Sequence, residues 1–225
     1  MLIAFEGIDG TGKATQAALL RRYLNETGRE AVLFDFPAYD SFVGKVLGEL
    51  LSSNASKKKV DASTLPAKVM AMLFALDRVQ FRDGIAEALA QGRIVIANRY
   101  TLSNSVFQSI RAGEDISAWV DELEHTALGL PRPDLYLVLT GSVSSSKELV
   151  GAKGIRSYTE SHDVYESNEK LLMSAQALYS SIKTPFSRKV EIDCLAQEGF
   201  RSREDIHREI AGIAERLAGG SLQTT

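Results

Sequence analysis

The sequence predicts an α/β fold in which a five-stranded parallel sheet is covered by helices on both faces. Short apolar runs alternate with longer amphipathic stretches along the 225 residues, a pattern typical of strand–helix–strand units. The third run, 94–97, is apolar at every position, as expected for a strand buried on both faces. No Pro/Gly-rich linker divides the chain. A single domain over 1–218 is therefore expected, with 219–225 as a frayed tail.

Each element has its own signal in the sequence. The predicted strands are 2–5, 31–36, 94–97, 135–139 and 190–192. A first helix is expected over 15–26, before the stop signal of Gly28. One long helix is expected over 65–91, where apolar residues recur at helical spacing, and a last helix over 203–217. The Ser- and Gly-rich stretch 142–162 has little apolar periodicity and predicts a flexible lid.

Composition excludes several classes of protein. With 26 Lys and Arg against 29 Asp and Glu, the net charge of -3 argues against broad attraction to nucleic acid or to a membrane surface. No apolar run approaches the roughly 20 residues that span a bilayer. The single Cys194 cannot form an intrachain disulfide, so a reducing, cytoplasmic location is expected. The histidines lack metal-ligand spacing; they are His125, His162 and His207.

A glycine-rich segment follows the first strand and opens the first helix. It has the P-loop spacing, Gly7, four residues, then Gly12-Lys13. Such glycines let successive N–H groups converge on an anion, to which the helix N-terminus adds partial positive charge. This predicts an ATP site in which Lys13 bridges the outer phosphates. Its residues are Gly7, Ile8, Asp9, Gly10, Thr11, Gly12, Lys13, Ala14 and Thr15.

The position after the P-loop lysine is unusual. It normally holds Ser or Thr, whose hydroxyl ligates Mg²⁺, but here it is Ala14. Thr15 follows, but it points about 100° further round the helix and is a poor substitute. The sequence therefore leaves the protein ligands of Mg²⁺ unknown.

Five motifs occur in the order seen in thymidylate kinases, and on them the chain resembles this P-loop kinase family. Two are the most specific, the Glu-Gly-x-Asp-Gly form of the P-loop and the Arg-Tyr after the third strand. The motifs are Phe5-Glu6-Gly7-Ile8-Asp9-Gly10-Thr11-Gly12-Lys13, Phe36-Pro37, Leu73-Phe74-Ala75-Leu76-Asp77-Arg78, Asn98-Arg99-Tyr100 and Pro131-Arg132-Pro133-Asp134.

The resemblance implies a three-layer P-loop fold and transfer of a phosphoryl group from ATP to dTMP, which gives dTDP and ADP. It also implies Mg²⁺ as a cofactor, small-molecule substrates and a homodimer. The apolar faces around Met70 and Phe107 are candidates for the dimer contact, although both faces are equally consistent with core packing within one chain.

The resemblance also implies roles for single residues. Asp9 is similar to an acid that contacts the deoxyribose hydroxyl, Phe74 to a ring that stacks on thymine, and Arg78 to an arginine that holds the monophosphate. Phe74 and Arg78 share one helix face, because they are four residues apart. The alternatives are core packing for Phe74 and a surface ion pair with Asp77 or Asp83 for Arg78.

Three more candidates follow the third strand. Arg99 is expected at the carboxyl edge of the sheet, where open α/β folds bind ligands, and it is similar to the family arginine that contacts the acceptor phosphate. Gln108 matches a residue that hydrogen-bonds thymine, and Asn104 shares its helix face. The alternatives are a structural salt bridge for Arg99 and solvated polar positions for Asn104 and Gln108.

Members of the resembled family carry a catalytic arginine either in the P-loop or in the lid. The P-loop here has Gly10 and Thr11 and no arginine. Arg156 in the lid is therefore the candidate, with Lys153 and Lys147 as reserves; a solvated loop arginine is the alternative. Such an arginine offsets charge that develops during transfer.

The chain departs from the family pattern at three places. Ala14 replaces the loop Ser or Thr, Asn98 stands where relatives have Asp before the arginine, and Ala38-Tyr39 stands where relatives place an arginine. Either ATP oxygens and water hold Mg²⁺, with Asn98 orienting a water, or the protein binds nucleotides without efficient catalysis. We favour the first, because Mg²⁺ characteristically keeps several waters.

Two further functions stay open at this point. One is a kinase for another deoxynucleoside or its monophosphate, which would share the P-loop and the Arg-Tyr motif. The other is a nucleotide-binding regulatory protein, suggested by Ala14 and Asn98, although no guanine-reading Asn-Lys-x-Asp motif occurs.

Overall fold

The computed structural model describes residues 1–52, 60–141, 169–196 and 199–219. The five strands are β1 Leu2–Glu6, β2 Ala31–Asp35, β3 Ile94–Asn98, β4 Leu135–Thr140 and β5 Arg188–Asp193. The helices are α1 Lys13–Glu26, α2 Phe42–Leu51, α3 Ala67–Val79, α4 Arg82–Ala90, α5 Thr101–Ala112, α6 Ser117–Asp121, α7 Glu169–Ser181 and α8 Arg203–Gly219, with a π-helix at Glu122–Ala127. The predicted lid, 142–162, and residues 220–225 lie outside the described residues.

The strands form one sheet in the order β2-β3-β1-β4-β5, and each neighbouring pair is parallel. This confirms the predicted five-stranded parallel sheet. Phe5 lies opposite Asn98, and Asn98 lies opposite Asp35. Residues opposite each other in neighbouring strands present their side chains to the same face. The ends of β1, β3 and β2 therefore bring these three side chains to one face and one edge of the sheet.

Helices cover both faces of the sheet, as predicted. Leu2 and Ala4 of β1 belong to an apolar cluster that includes side chains of α2, α3, α4, α5 and α7. Ile3 and Phe5 belong to a second cluster, which includes side chains of α1 and α8. The alternation along β1 follows from the two-residue period of a strand. None of the described helices is long and apolar enough to cross a membrane.

The prediction of one long helix over 65–91 is wrong. α3 ends at Val79 and α4 begins at Arg82. Between them, Phe81 packs edge-on against Phe34 and Phe36, with ring centroids 6.1 Å and 5.7 Å away. The break carries the Phe81 ring to the end of β2, a non-local contact that apolar periodicity does not reveal.

The prediction of a dimer contact through the faces around Met70 and Phe107 is also wrong. Met70 is fully buried and Phe107 is 6% exposed, and both belong to the core cluster between the sheet and α3, α5 and α7. Of the two alternatives, core packing within one chain is therefore confirmed for these side chains.

Candidate active site

The P-loop adopts the backbone conformation that its glycines permit. Gly7, Gly10 and Gly12 have φ angles of 126°, 82° and 92°, values that other residues rarely adopt. A Cβ atom at Gly7 would also overlap the backbone oxygen of Leu139 on β4. Gly12 immediately precedes α1. The loop therefore places the N-terminus of α1 at the carboxyl edge of the sheet, the position of an anion site in this class of loop.

Asp9 lies between two cations at this loop. Its Oδ1 is 2.6 Å from Nη2 of Arg99 and 3.7 Å from Nζ of Lys13. The Lys13 ammonium also donates to the carbonyl of Ile8 over 2.6 Å, and its side chain is only 6% exposed. The predicted phosphate-binding lysine and the predicted acceptor-phosphate arginine are thus both held at the same carboxylate.

Arg99 has a left-handed backbone, with φ at 62°, which is uncommon for a residue with a side chain and occurs often at functional sites. Besides Asp9, its guanidinium donates from Nη1 to the carbonyl of Gly7 over 3.2 Å and to the hydroxyl of Ser103 over 3.1 Å. It also lies 5.6 Å from the centre of the Phe107 ring. The expected place of Arg99 at the sheet edge is confirmed. Its contact with the acceptor phosphate stays a prediction.

A buried carboxylate lies below Arg99. Glu6, at the end of β1, accepts from the backbone N–H of Tyr100 over 3.0 Å and from the hydroxyl of Ser103. The Ser103 hydroxyl is also 2.8 Å from that of Tyr179 on α7. Burial raises the pKa of Glu6, against the hydrogen bond from Ser103 and the charge of Arg99. This network joins β1, α5 and α7 beneath the P-loop. Sequence reasoning assigned Glu6 no role, although a charge ending an otherwise apolar strand is a usable signal.

Arg78 is held by a residue that sequence reasoning missed. Its Nε and Nη2 each donate over 2.6 Å to the carboxylate of Glu124 in the π-helix. The two side chains are 3% and 0% exposed. The alternative of a surface ion pair with Asp77 or Asp83 is therefore wrong, because the partner is Glu124 and the pair is buried. Whether Arg78 also holds a monophosphate stays a prediction.

Asp77 anchors a different segment. Its carboxylate accepts from the backbone N–H of Ala38 over 2.9 Å and from the hydroxyl of Ser41 over 3.1 Å. Ser41 in turn caps the N-terminus of α2 through the N–H of Gly44. Ala38 thus lies on a segment whose backbone is fixed by the residue next to Arg78. Burial raises the pKa of Asp77, against these hydrogen bonds.

Asn104 and Gln108 are 3% and 0% exposed, so the alternative of solvated polar positions is wrong for both. Asn104 donates from Nδ2 to the carbonyl of Ala71 over 3.0 Å and to Glu124 over 2.7 Å. Gln108 accepts at Oε1 from Arg111 over 2.8 Å. Within the described part of the chain, Asn104 Oδ1 and Gln108 Nε2 are buried without a hydrogen-bond partner. One is an acceptor and the other a donor, one turn apart on α5.

Phe74 is half-buried and packs against the core cluster on the α5 side of the sheet. It lies three residues after Ala71 and four before Arg78, and both of these meet the Glu124–Asn104 cluster. Positions with this spacing share a helix face. The ring is therefore on the face of α3 that approaches α5, as its proposed stacking role requires.

The metal corner, which comprises Ala14 and Asn98 where Mg²⁺ is expected, has an unusual composition. Ala14 is exposed and carries no hydroxyl. Asn98 donates from Nδ2 to Oδ1 of Asp35 over 2.6 Å, which directs its amide oxygen away from that carboxylate. Among the described residues, Oδ1 of Asn98 is buried and has no hydrogen-bond partner. The described residues contain no group of three or more His, Cys, Asp or Glu side chains placed to hold a metal. At the position of the usual Asp, the chain thus offers a neutral amide oxygen, with the Asp35 carboxylate beside it.

Arg156 and the reserves Lys153 and Lys147 lie outside the described residues. The other predicted site residues lie in two neighbouring regions. Asp9, Lys13 and Arg99 are in direct contact at the sheet edge. Phe74, Arg78, Asn104 and Gln108 lie on α3 and α5, and Ser103 of α5 connects them to Arg99.

A parallel sheet in this order, with a glycine-rich loop between its central strand and the first helix, defines a P-loop nucleotide-binding protein of the α/β class. The sequence model of the family described as "Thymidylate kinase" matches residues 5–192. The probable thymidylate kinase of Thermococcus onnurineus (strain NA1) is 32% identical over 216 residues, which cover 96% of this chain and 97% of that protein. The thymidylate kinase of Mycobacterium tuberculosis (strain H37Rv) is 33% identical over 188 residues, which cover 81% and 85%. This chain belongs to the thymidylate kinase family.

A solved structure has the same fold. The thymidylate kinase of Candida albicans, whose published description reports broad substrate specificity, superposes with a TM-score of 0.69 at 24% identity. The superposition covers 96% of this chain and 91% of that one.

Proposed function

We propose that this chain phosphorylates dTMP with ATP to give dTDP and ADP. An oxygen of the dTMP phosphate attacks the γ-phosphorus of ATP, and the bond to the β-phosphate oxygen breaks. One observation carries the proposal. The Arg99 guanidinium lies within hydrogen-bond distance of Gly7 and Asp9 of the P-loop. A monophosphate on Arg99 and a triphosphate in the loop would therefore be neighbours, which is the arrangement that in-line transfer requires.

Residues 7–15 form the proposed ATP site, and Lys13 supplies its positive charge. The Lys13 Nζ donates a hydrogen bond to the carbonyl of Ile8 inside the loop and lies near the carboxylate of Asp9. We expect a β- or γ-phosphate oxygen to take the place of the Ile8 carbonyl as its partner. The new bond would join two charged groups, whereas the Ile8 carbonyl is a neutral acceptor.

Arg99 is the proposed partner of the acceptor phosphate. Its planar guanidinium can hold two oxygens at once and share the charge that develops during transfer. Binding of the phosphate competes with Asp9, whose carboxylate then accepts from the deoxyribose hydroxyl. The charge of Arg78 is already offset by Glu124. Arg99 is itself paired with Asp9, but that pair is more exposed than the bidentate Arg78–Glu124 pair. Arg99 is therefore the proposed main partner of the acceptor phosphate, and Arg78 contributes through the N–H groups that Glu124 does not use.

The base is proposed to lie against Phe74 and to be recognised from α5. Thymine presents an N3–H donor beside a carbonyl acceptor. Asn104 Oδ1 is a buried acceptor and Gln108 Nε2 a buried donor, and both lack partners in the described structure. A buried polar atom without a partner is costly, so these two atoms fit a ligand that supplies the complementary pair.

Mg²⁺ is proposed to be held mainly by ATP oxygens and water, with Asn98 Oδ1 orienting one of the waters. When bound, the ion would supply positive charge that offsets the charge of the ATP phosphates. Asp35 fixes the Asn98 amide so that its oxygen is the available group. Arg156 stays the proposed lid arginine, with Lys153 and Lys147 as reserves.

A homodimer is proposed, through a surface other than the one first considered. Phe42 and Val46 on α2 are 82% and 41% exposed, and Met72 and Leu76 on α3 are 40% and 44% exposed. Each pair is spaced by four residues on one helix face. Sedimentation should give the mass of two chains, and Phe42→Glu should give monomers; an unchanged mass would exclude this surface. The cytoplasmic location stays a prediction.

Product analysis tests the proposed reaction. The chain is incubated with ATP, Mg²⁺ and one of dTMP, dUMP, dCMP, dGMP or thymidine, and the products are separated by ion-exchange chromatography. We expect dTDP to form fastest. Faster turnover of another acceptor would favour the second kinase function. ATP consumption without a phosphorylated acceptor would favour the regulatory function.

A further inference from the structure

Glu124 connects two of the proposed substrate-binding residues. Its side chain is fully buried, and it belongs to a π-helix, a rare element found often at functional sites. Its carboxylate accepts two bonds from Arg78 and one from Nδ2 of Asn104. A carboxylate has about four lone-pair sites, so it can accept the bond from Asn104 beside the two from Arg78.

These contacts fix the orientation of the Asn104 amide. A carboxylate and a backbone carbonyl can only accept hydrogen bonds. Asn104 faces one of each, Glu124 at 2.7 Å and the carbonyl of Ala71 at 3.0 Å. Both must be met by the NH₂ group, because a flipped amide would set oxygen against oxygen twice. The amide oxygen is therefore the atom left over, and it is buried and without a partner in the described part of the chain.

We propose that Glu124 is a positioning residue that makes the enzyme select bases with an N3–H donor. With its amide locked, Asn104 offers the base an acceptor and no donor. Thymine and uracil carry a hydrogen on N3 and satisfy this acceptor. Cytosine carries a lone pair at N3, which would face the Asn104 oxygen. The inference rests on the proposed function, because it uses the same base site.

A purely structural role for Glu124 makes a different prediction. A buried ion pair with Arg78 would stabilise the fold and change the use of every nucleotide alike. Positioning of Asn104 instead changes the ratio between bases. The preference for dTMP over dCMP, taken as the ratio of their kcat/KM values, therefore separates the two roles.

The test uses Glu124→Gln. Glutamine has an NH₂ group in place of one carboxylate oxygen, so it cannot accept all three bonds. Of the two contacts that orient the Asn104 amide, only the one to the Ala71 carbonyl is then kept. We expect the preference for dTMP over dCMP to fall roughly tenfold or more, about the worth of one hydrogen bond. The preference for dTMP over dUMP and the KM for ATP should stay unchanged, since neither depends on N3.

Asp121→Asn is the matched control. Asp121 pairs with Arg132 through both carboxylate oxygens, and it lies one residue before the π-helix. The same change from carboxylate to amide should leave the base preference as it is. In an Asn104→Ala background, Glu124→Gln should have no further effect on the preference, because the residue through which it acts has been removed.

An unchanged base preference in folded Glu124→Gln protein would overturn the proposal, and so would an equal loss in the Asn104→Ala background. If Glu124→Gln does not fold, Glu124→Asp gives the same test. Aspartate keeps the carboxylate, but its shorter side chain places the oxygens farther from Asn104. Calorimetric binding of dTMP and dCMP is measured alongside. If the unaltered chain binds dTMP but does not phosphorylate it, the proposed function fails while the binding ratio still tests Glu124.

Discussion

The guanidinium of Arg99 and the carboxylate of Asp9 lie 2.6 Å apart and connect the end of β3 to the phosphate-binding loop. Both residues are proposed to bind dTMP, and in the structure they form an ion pair with each other. An acceptor phosphate that binds Arg99 takes over part of this pairing and leaves Asp9 able to accept from the sugar. The donor and acceptor sites are thereby joined through one ion pair.

Arg99→Lys should lower kcat strongly. Lysine keeps the charge, but its single ammonium cannot contact Asp9, Gly7 and a phosphate at the same time, as the planar guanidinium can. We expect a loss on the order of 10²-fold in kcat, the usual effect of removing one transition-state donor, with little change in the KM for ATP. Steady-state kinetics measure both. Arg132→Lys, away from the P-loop, is the control and should be nearly as active as the unaltered chain. A loss seen only in the KM for ATP would contradict the assigned role.

Asn98→Asp should alter the dependence on Mg²⁺ more than the affinity for dTMP. The new carboxylate lies against that of Asp35, and two like charges at this distance favour a bound cation. We expect a lower Mg²⁺ concentration for half-maximal activity and a melting temperature that rises with added Mg²⁺. Thermal unfolding with and without the ion measures this directly. Equal shifts in Mg²⁺ dependence and dTMP affinity would count against the account.

Arg78→Gln should destabilise the protein far more than Arg132→Gln. Removal of Arg78 leaves Glu124 charged and fully buried, and breaking such a pair costs about 3–5 kcal/mol. The Arg132–Asp121 pair is about one-third exposed, so its loss should cost at most about 1 kcal/mol. Urea unfolding gives both free energies. Similar values for the two variants would show that the buried pair is not the stabilising contact described here.

Stability should fall as the pH drops below about 6.5 because of His125. Burial lowers its pKa from 6.5, against the hydrogen bond to the Leu130 carbonyl. That bond requires Nδ1 to donate, over 2.9 Å. The unfolded chain then binds a proton more readily than the folded one, so stability is full above about pH 6.5 and is lost as the pH falls toward the lower folded pKa.

Burial also lowers the pKa of His207, so His207 would add its own pH dependence. The measurement therefore compares two proteins, His207→Gln alone and His207→Gln with His125→Gln. The free energy of unfolding of each is determined at pH 7 and at pH 5. The His125 variant should show the smaller loss of stability. Equal losses would mean that His125 titrates alike in the folded and unfolded chains.

Patterns local in the chain were predictable from the sequence. The P-loop and the apolar runs are contiguous, so the central strands and the place of Lys13 and Arg99 followed directly. Contacts between distant segments were not predictable. Phe81 interrupts the helical pattern to reach β2, and Glu124 meets Arg78 from 46 positions away in a helix type without a sequence signature. The Asn98–Asp35 contact depends on strand register, which the sequence leaves open.

The most direct test is the rate of ADP formation at fixed ATP and Mg²⁺ as dTMP is raised. We propose that the P-loop and Arg99 form a working site although Ala14 and Asn98 alter the metal corner. We expect the rate to rise with dTMP to saturation, to be abolished by Lys13→Met, and to be preserved by Lys68→Met on the exposed side of α3. A rate of ATP hydrolysis that dTMP does not change would contradict it.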